Sequence, residues 1–224
     1  MLQILFTELP GMVLALCAGV YSFRYMNLLY RIFFFQLLAC VLISILAMTV
    51  LVILRTNNMP LNNQWIYNLY MPIETGFLAW AGYEYFKENK EKKFIFIGYA
   101  IFLLVFISEL VMKGIRVFSN HGYIAESIFV FMICLFMQYL IIFKENYYWY
   151  RSPEFWIITG MYLYFGTVIP YISLLHYLQE HYSKINSMLF QYIIVICSQL
   201  RYLSLAAGLW LIRRNAVAEK LITK

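Results

Sequence analysis

Apolar residues run in long blocks along this chain, separated by short polar stretches rather than alternating with them. Crossing ~30 Å of hydrocarbon takes about 20 mostly apolar residues at a helical rise of ~1.5 Å each. Seven blocks meet that need, at approximately 3–23, 32–54, 66–86, 94–115, 123–143, 156–178 and 187–212. The second carries no charge from Ile32 to Leu54 and is expected to face lipid over much of its surface. The third is the most polar. The pattern predicts an all-α integral membrane bundle of seven transmembrane helices, with residues 1–224 as a single domain. No loop is long enough for a separate catalytic domain, and neither is the stretch after Leu211.

Composition agrees. The chain is 63% hydrophobic and 12% charged, against about 25% charged residues in a soluble domain. All acidic residues are Glu, which suits helices better than turns and caps. Met1 to Leu9 has no basic residue, so no cleaved signal peptide is expected. Cys17, Cys40, Cys134 and Cys197 lie inside apolar blocks without a CxxC pair, and are expected to pack rather than to form disulfides or a zinc set.

Lys and Arg set the expected orientation. Arg24, Arg31, Lys87, Lys90, Lys92, Lys93, Lys144, Arg151, Arg213, Arg214, Lys220 and Lys224 fall on one side; Arg55, Lys113, Arg116 and Lys184 fall on the other. The positive-inside rule puts the N-terminus outside and the C-terminus in the cytoplasm. The net charge of +6 therefore reads as a membrane signature, and no nucleic-acid partner is expected.

Besides Glu84, at the inner end of the third block, four glutamates, Glu8, Glu74, Glu109 and Glu126, lie within the spans, all placed by counting in the outer half of the bilayer. Ionised groups in hydrocarbon cost several kcal/mol unless paired or wetted, so they mark candidate sites. On the third span Tyr67, Tyr70, Glu74, Phe77 and Ala81 share one helical face, with Pro72 removing a backbone hydrogen bond beside it. The sixth offers Gly160, Tyr164, Thr167 and Tyr171, with Pro170 as an expected kink. The seventh offers Gln191, Ser198 and Tyr202, with Gln199 and Arg201 close by. These faces are expected to meet in one outward-facing cavity. The candidate ligand-binding set is Glu74, Arg201, Glu126, Glu109, Tyr70, Tyr164, Tyr171, Gln191 and Ser198. No catalytic residue is assigned, and no metal or cofactor is implied.

Glu74 is expected ~12 Å below the outer surface, and Arg201, about fourteen residues from the outer end, near mid-membrane. Arg201 either reaches up to pair with Glu74 or snorkels toward the cytoplasm. Glu8 suits the headgroup level. Glu109 and Glu126 suit either a functional role or hydrogen bonding as protonated acids. His121, His176 and His181, the last two flanking Glu180, lack a known ligand spacing and read as solvated loop residues. Tyr147, Tyr148, Trp149 and Tyr150 resemble an interfacial belt, as do Trp65, Tyr67 and Tyr70. Gly76, Gly82, Gly160, Gly166 and Gly208 read as sites of close helix packing. Phe86-Lys-Glu-Asn89 recurs as Phe143-Lys-Glu-Asn146, either a trace of duplication or convergent loop chemistry.

From about residue 60 onward, Tyr67-Asn-Leu-Tyr-Met-Pro-Ile-Glu74, Phe118-Ser-Asn120 with Glu126-Ser127, and Ser152-Pro-Glu-Phe-Trp-Ile157 with Gly160 and Tyr164 carry a resemblance. In these the chain resembles an uncharacterised family of bacterial seven-helix inner-membrane proteins regarded as sensory. The resemblance implies a multi-pass protein of the bacterial inner membrane that works with a separate cytoplasmic signalling partner. A second likeness is to the membrane-embedded lycopene cyclases, whose Pro-x-Glu-Glu motif is matched in part by Pro72-Ile-Glu74-Thr75 with Phe77. Glu109, Phe118-Ser-Asn120 and Glu126 look like a second copy. Thr75 and Ser127 stand where the second acid belongs.

Three functions follow as expectations. The first is a receptor-like sensor, embedded in the lipid bilayer, binding a small-molecule or lipid ligand. The second is an enzyme on an isoprenoid or lipid; the third is a small-solute transporter, for which no inverted repeat is visible. An opsin is disfavoured because the seventh span has no lysine for a Schiff base.

Overall fold

The computed structural model describes residues 2–57, 59, 62–86, 89–145, 149–182, 185 and 190–222. Side chains are described for these except residues 2–8, 89, 144–145, 175–176, 179–180, 190–191 and 219–222. The described residues are all-helical, with seven long helices among them: α1 (Leu2–Ser22), α2 (Leu28–Thr56), α3 (Gln64–Tyr85), α4 (Asn89–Lys113), α5 (Asn120–Leu140), α6 (Pro153–His181) and α7 (Val195–Ile222). Among the described residues there is no strand. Each helix coincides with one of the seven apolar blocks.

Among the described residues, five helical stretches are long and apolar enough to cross a membrane: Leu28–Thr56, Lys90–Lys113, Asn120–Phe143, Pro153–Leu174 and Tyr192–Ala218. Helix α3 is not among them. It carries Asn68, Glu74, Thr75 and Glu84, and its burial explains how it tolerates them: all but Glu84 are buried. Only 22% of the most apolar stretch of α2 and of α4 is buried. Their large side chains, among them Leu42, Ile45, Phe96, Leu104 and Val111, point outward, as an apolar solvent would permit.

Local chemistry sets the ends. Asn27 caps α2, its side chain accepting from Tyr30 N at 3.1 Å. Pro153 opens α6, where its missing N–H costs nothing. Helix α4 stops at Gly114, whose φ of +78° is cheap only for glycine and whose N–H bonds Leu110 O at 2.8 Å. Two π-turns, Ile141–Glu145 and Phe190–Ile194, adjoin α5 and α7. Pro72 and Pro170 are both accommodated within continuous helices.

Consecutive helices pack side by side, and α7 returns to α1 to close the ring. Helix α3 also touches α5 directly, so α4 lies outside this pair as a buttress. The main core runs through the ring, with Ile32, Leu37, Met137, Ile157, Phe165 and Leu205 almost fully enclosed. Phe86 and Phe143, the matching positions of the short recurrence, differ: Phe86 is buried and terminates α3, whereas Phe143 is exposed within a π-turn. Lys87, Glu88 and Asn146 lie outside the described residues.

Candidate functional site

Glu74 and Arg201 form an ion pair inside the bundle, through Arg201 Nη2 and Glu74 Oε1. Both are buried, at 8% and 4% exposure. Snorkelling by Arg201 is therefore not what the structure shows. Glu74 is the eleventh of the 22 residues of α3, about 15 Å from the helix start at 1.5 Å per residue. Arg201 lies about 14 Å from Tyr192, where the apolar stretch containing α7 begins. The two side chains thus meet at similar distances from the starts of their helical stretches.

Three further elements complete the pair's surroundings. From α2, Gln36 donates its Nε2 to Glu74 Oε1 at 3.0 Å. From α6, the rings of Tyr164 and Phe165 lie 4.9 and 5.4 Å from Arg201 Cζ, and Tyr202 of α7 lies 5.8 Å away. Desolvated guanidinium–ring contacts of this kind are each worth about 0.5–2 kcal/mol. Cys40 Sγ and Tyr202 OH, 3.1 Å apart, bond α2 to α7 one turn along. A buried pair missing one member would cost about 3–5 kcal/mol, so these helices are constrained to stay together.

Glu126 enters from α5. Fully buried, it stands with Oε1 2.6 Å from Thr75 Oγ1, and the same hydroxyl lies 2.7 Å from Met71 O. Tyr99 of α4 donates to the Pro72 carbonyl at 3.2 Å. Tyr123 and Tyr164 share a hydrogen bond of 2.9 Å between α5 and α6. Among the described residues, Glu126 Oε2, Ser127 Oγ and Arg201 Nε of this interior are buried without a hydrogen-bond partner. Such atoms cost about 1–3 kcal/mol each when left unmet. Their presence in one region favours a site that a polar molecule completes.

Of the sequence candidates, Glu74, Arg201, Glu126, Tyr70 and Tyr164 come together around this centre. Ser198 is buried on α7, one turn before Arg201. Tyr171 packs with Val168 and Ile194 in a separate small cluster, with Tyr164 at its edge. The side chains of Gln191, Glu8, His176 and Glu180 lie outside the described set.

Glu109 is elsewhere, at the end of α4. Its Oε1 takes Lys113 Nζ at 2.6 Å and His121 Nδ1 at 2.9 Å; its Oε2 accepts from Ser119 Oγ at 2.6 Å and Gly122 N at 3.0 Å. Asn68 completes the arrangement from α3, donating to Ile115 O and Val117 O at 2.8 and 2.7 Å and accepting from Ser119 N at 3.1 Å. Both side chains are spent on holding the 114–119 turn. Gln36 and Asn68 were not singled out by the sequence, and Thr75 only as standing where a second acid belongs; for Gln36, a lone Gln in the most apolar block was the available signal. Among the described residues no cluster of three His, Cys, Asp or Glu could hold a metal ion. No protein-family model, curated protein or solved structure matches the chain, so the reading of the site rests on its own geometry.

Proposed function

We propose that this protein is a receptor-like membrane protein that binds a small or lipidic ligand at the Glu74–Arg201–Glu126 centre and acts through a separate cytoplasmic partner. The observation that carries the reading is the buried ion pair joining α3 to α7, with unmet polar atoms around it. A ligand group that competes for Arg201 or Glu74 changes how α2, α3 and α7 are tied, and helix displacement is the ordinary currency of such receptors. In this proposal the chain crosses a bacterial inner membrane seven times, N-terminus outside, with its Lys-rich and Arg-rich ends toward the partner.

The test is mass spectrometry of small molecules extracted from the purified protein and from Arg201→Gln, Glu74→Gln and Glu8→Gln. A molecule retained by the wild type and by Glu8→Gln, and reduced tenfold or more in the other two, supports the reading. Identical extracts from all four overturn it. One observation favours a second reading, an enzyme acting on an isoprenoid: the Thr75–Glu126 contact joins the two segments that carry the cyclase likeness. Conversion of a linear isoprenoid by the wild type but not by Glu126→Gln would select that reading instead.

A further inference from the structure

The Thr75 hydroxyl stands between two oxygens and has one proton. Its distances, 2.7 Å to Met71 O and 2.6 Å to Glu126 Oε1, are both ordinary O–H···O lengths. Met71 O accepts only, and so does an ionised carboxylate. With Glu126 ionised, one of these short contacts would be an oxygen facing an oxygen with no proton between them. A proton on Glu126 Oε1 removes the conflict. Glu126 then donates to Thr75 Oγ1, and Thr75 donates to Met71 O.

The charges around Glu126 agree. From α3 it faces Glu74 and Thr75, from α4 Tyr99 and from α7 Arg201; Tyr123, which bonds Tyr164 of α6, lies on its own helix. Arg201 is the one cation in that group, and its contact is with Glu74. Glu126 is fully buried, and among the described residues its Oε2 has no hydrogen-bond partner. A second bare carboxylate there would have the Thr75 hydroxyl as its donor and a guanidinium already held by Glu74.

We infer that Glu126 is a proton-binding site, holding a proton on Oε1 against the Thr75 hydroxyl. This stands whether or not a ligand is read by Arg201. Release of the proton leaves two carboxylates to share one guanidinium, and turns the Thr75 hydroxyl from Met71 O to Glu126. The bound proton thus sets how α3, α5 and α7 are tied together.

Infrared difference spectra of the full-length protein in lipid nanodiscs, in H2O and D2O at neutral pH, test this. The wild type is expected to show a deuterium-sensitive carboxylic C=O band that Glu126→Gln abolishes and Glu74→Gln keeps. In Thr75→Val the acid loses its acceptor, and the band is expected to move to higher wavenumber. A spectrum unchanged by Glu126→Gln overturns the inference. Should Glu126→Gln fail to fold, Thr75→Val decides: a shifted band supports the inference, an unshifted one overturns it.

Discussion

Gly160 faces the backbone of Arg201 across the α6–α7 contact. A Cβ on Gly160 would stand 3.0 Å from Arg201 O, 3.1 Å from Arg201 Cα and 2.7 Å from Ser204 Cβ. Backbone cannot step aside as a flexible side chain can. Gly160→Ala is therefore expected to push α7 away and to destabilise the protein by about 1–3 kcal/mol. Gly76→Ala is the comparison, since its nearest neighbour is the Tyr99 hydroxyl at 3.3 Å. Thermal unfolding in detergent should show a clearly larger loss for Gly160→Ala; equal losses would contradict the close approach.

Removing the ion pair whole should cost less than the sum of breaking it from each side. Arg201→Met and Glu74→Gln are each expected to destabilise by about 3–5 kcal/mol. The double variant should fall short of their sum by about 0.5–3 kcal/mol, because neither charge is then stranded. Additive losses would mean that the two side chains do not interact.

The turn between α4 and α5 depends on Asn68 more than on Lys113. Asn68 is wholly buried and bonds three backbone groups, so Asn68→Ala should cost about 1–3 kcal/mol. The Lys113 side chain is 41% exposed, and Lys113→Ala should cost only about 0.3–0.5 kcal/mol. Hydrogen exchange at residues 115–119 should quicken in the first variant and hardly change in the second.

Orientation is tested by labelling. With the proposed topology, a cysteine at Arg116 reacts with a membrane-impermeant maleimide from outside intact cells. One at Lys93, exposed at the other end of α4, reacts only after permeabilisation. The opposite pattern would invert the charge argument.

The helices were legible because hydrocarbon demands a long apolar run and one run encodes one helix. The Glu74–Arg201 contact was legible because two opposite charges in apolar blocks have few other ways to be satisfied. Gln36 was not, because α2 is apolar almost all round and its periodicity does not reveal which side turns inward. Thr75 was weighed only as the absence of an acid, although a hydroxyl one residue after Glu74 is what Glu126 touches. Glu109 shows the reverse case. Its sequence position matched that of a site residue, yet its partners are a turn and a neighbouring lysine, which depend on how the chain doubles back after Gly114.

The 127 positions by which Arg201 follows Glu74 along the chain also separate the two side chains in time. As the chain is made, α3 leaves the ribosome long before α7, so Glu74 emerges with its cation still unsynthesised. Gln36, on the preceding helix, is already there to hold one carboxylate oxygen. The last helix then arrives carrying a charge for which that acid is the waiting counter-ion. Biogenesis of this protein is completed by the same contact on which its chemistry is proposed to depend.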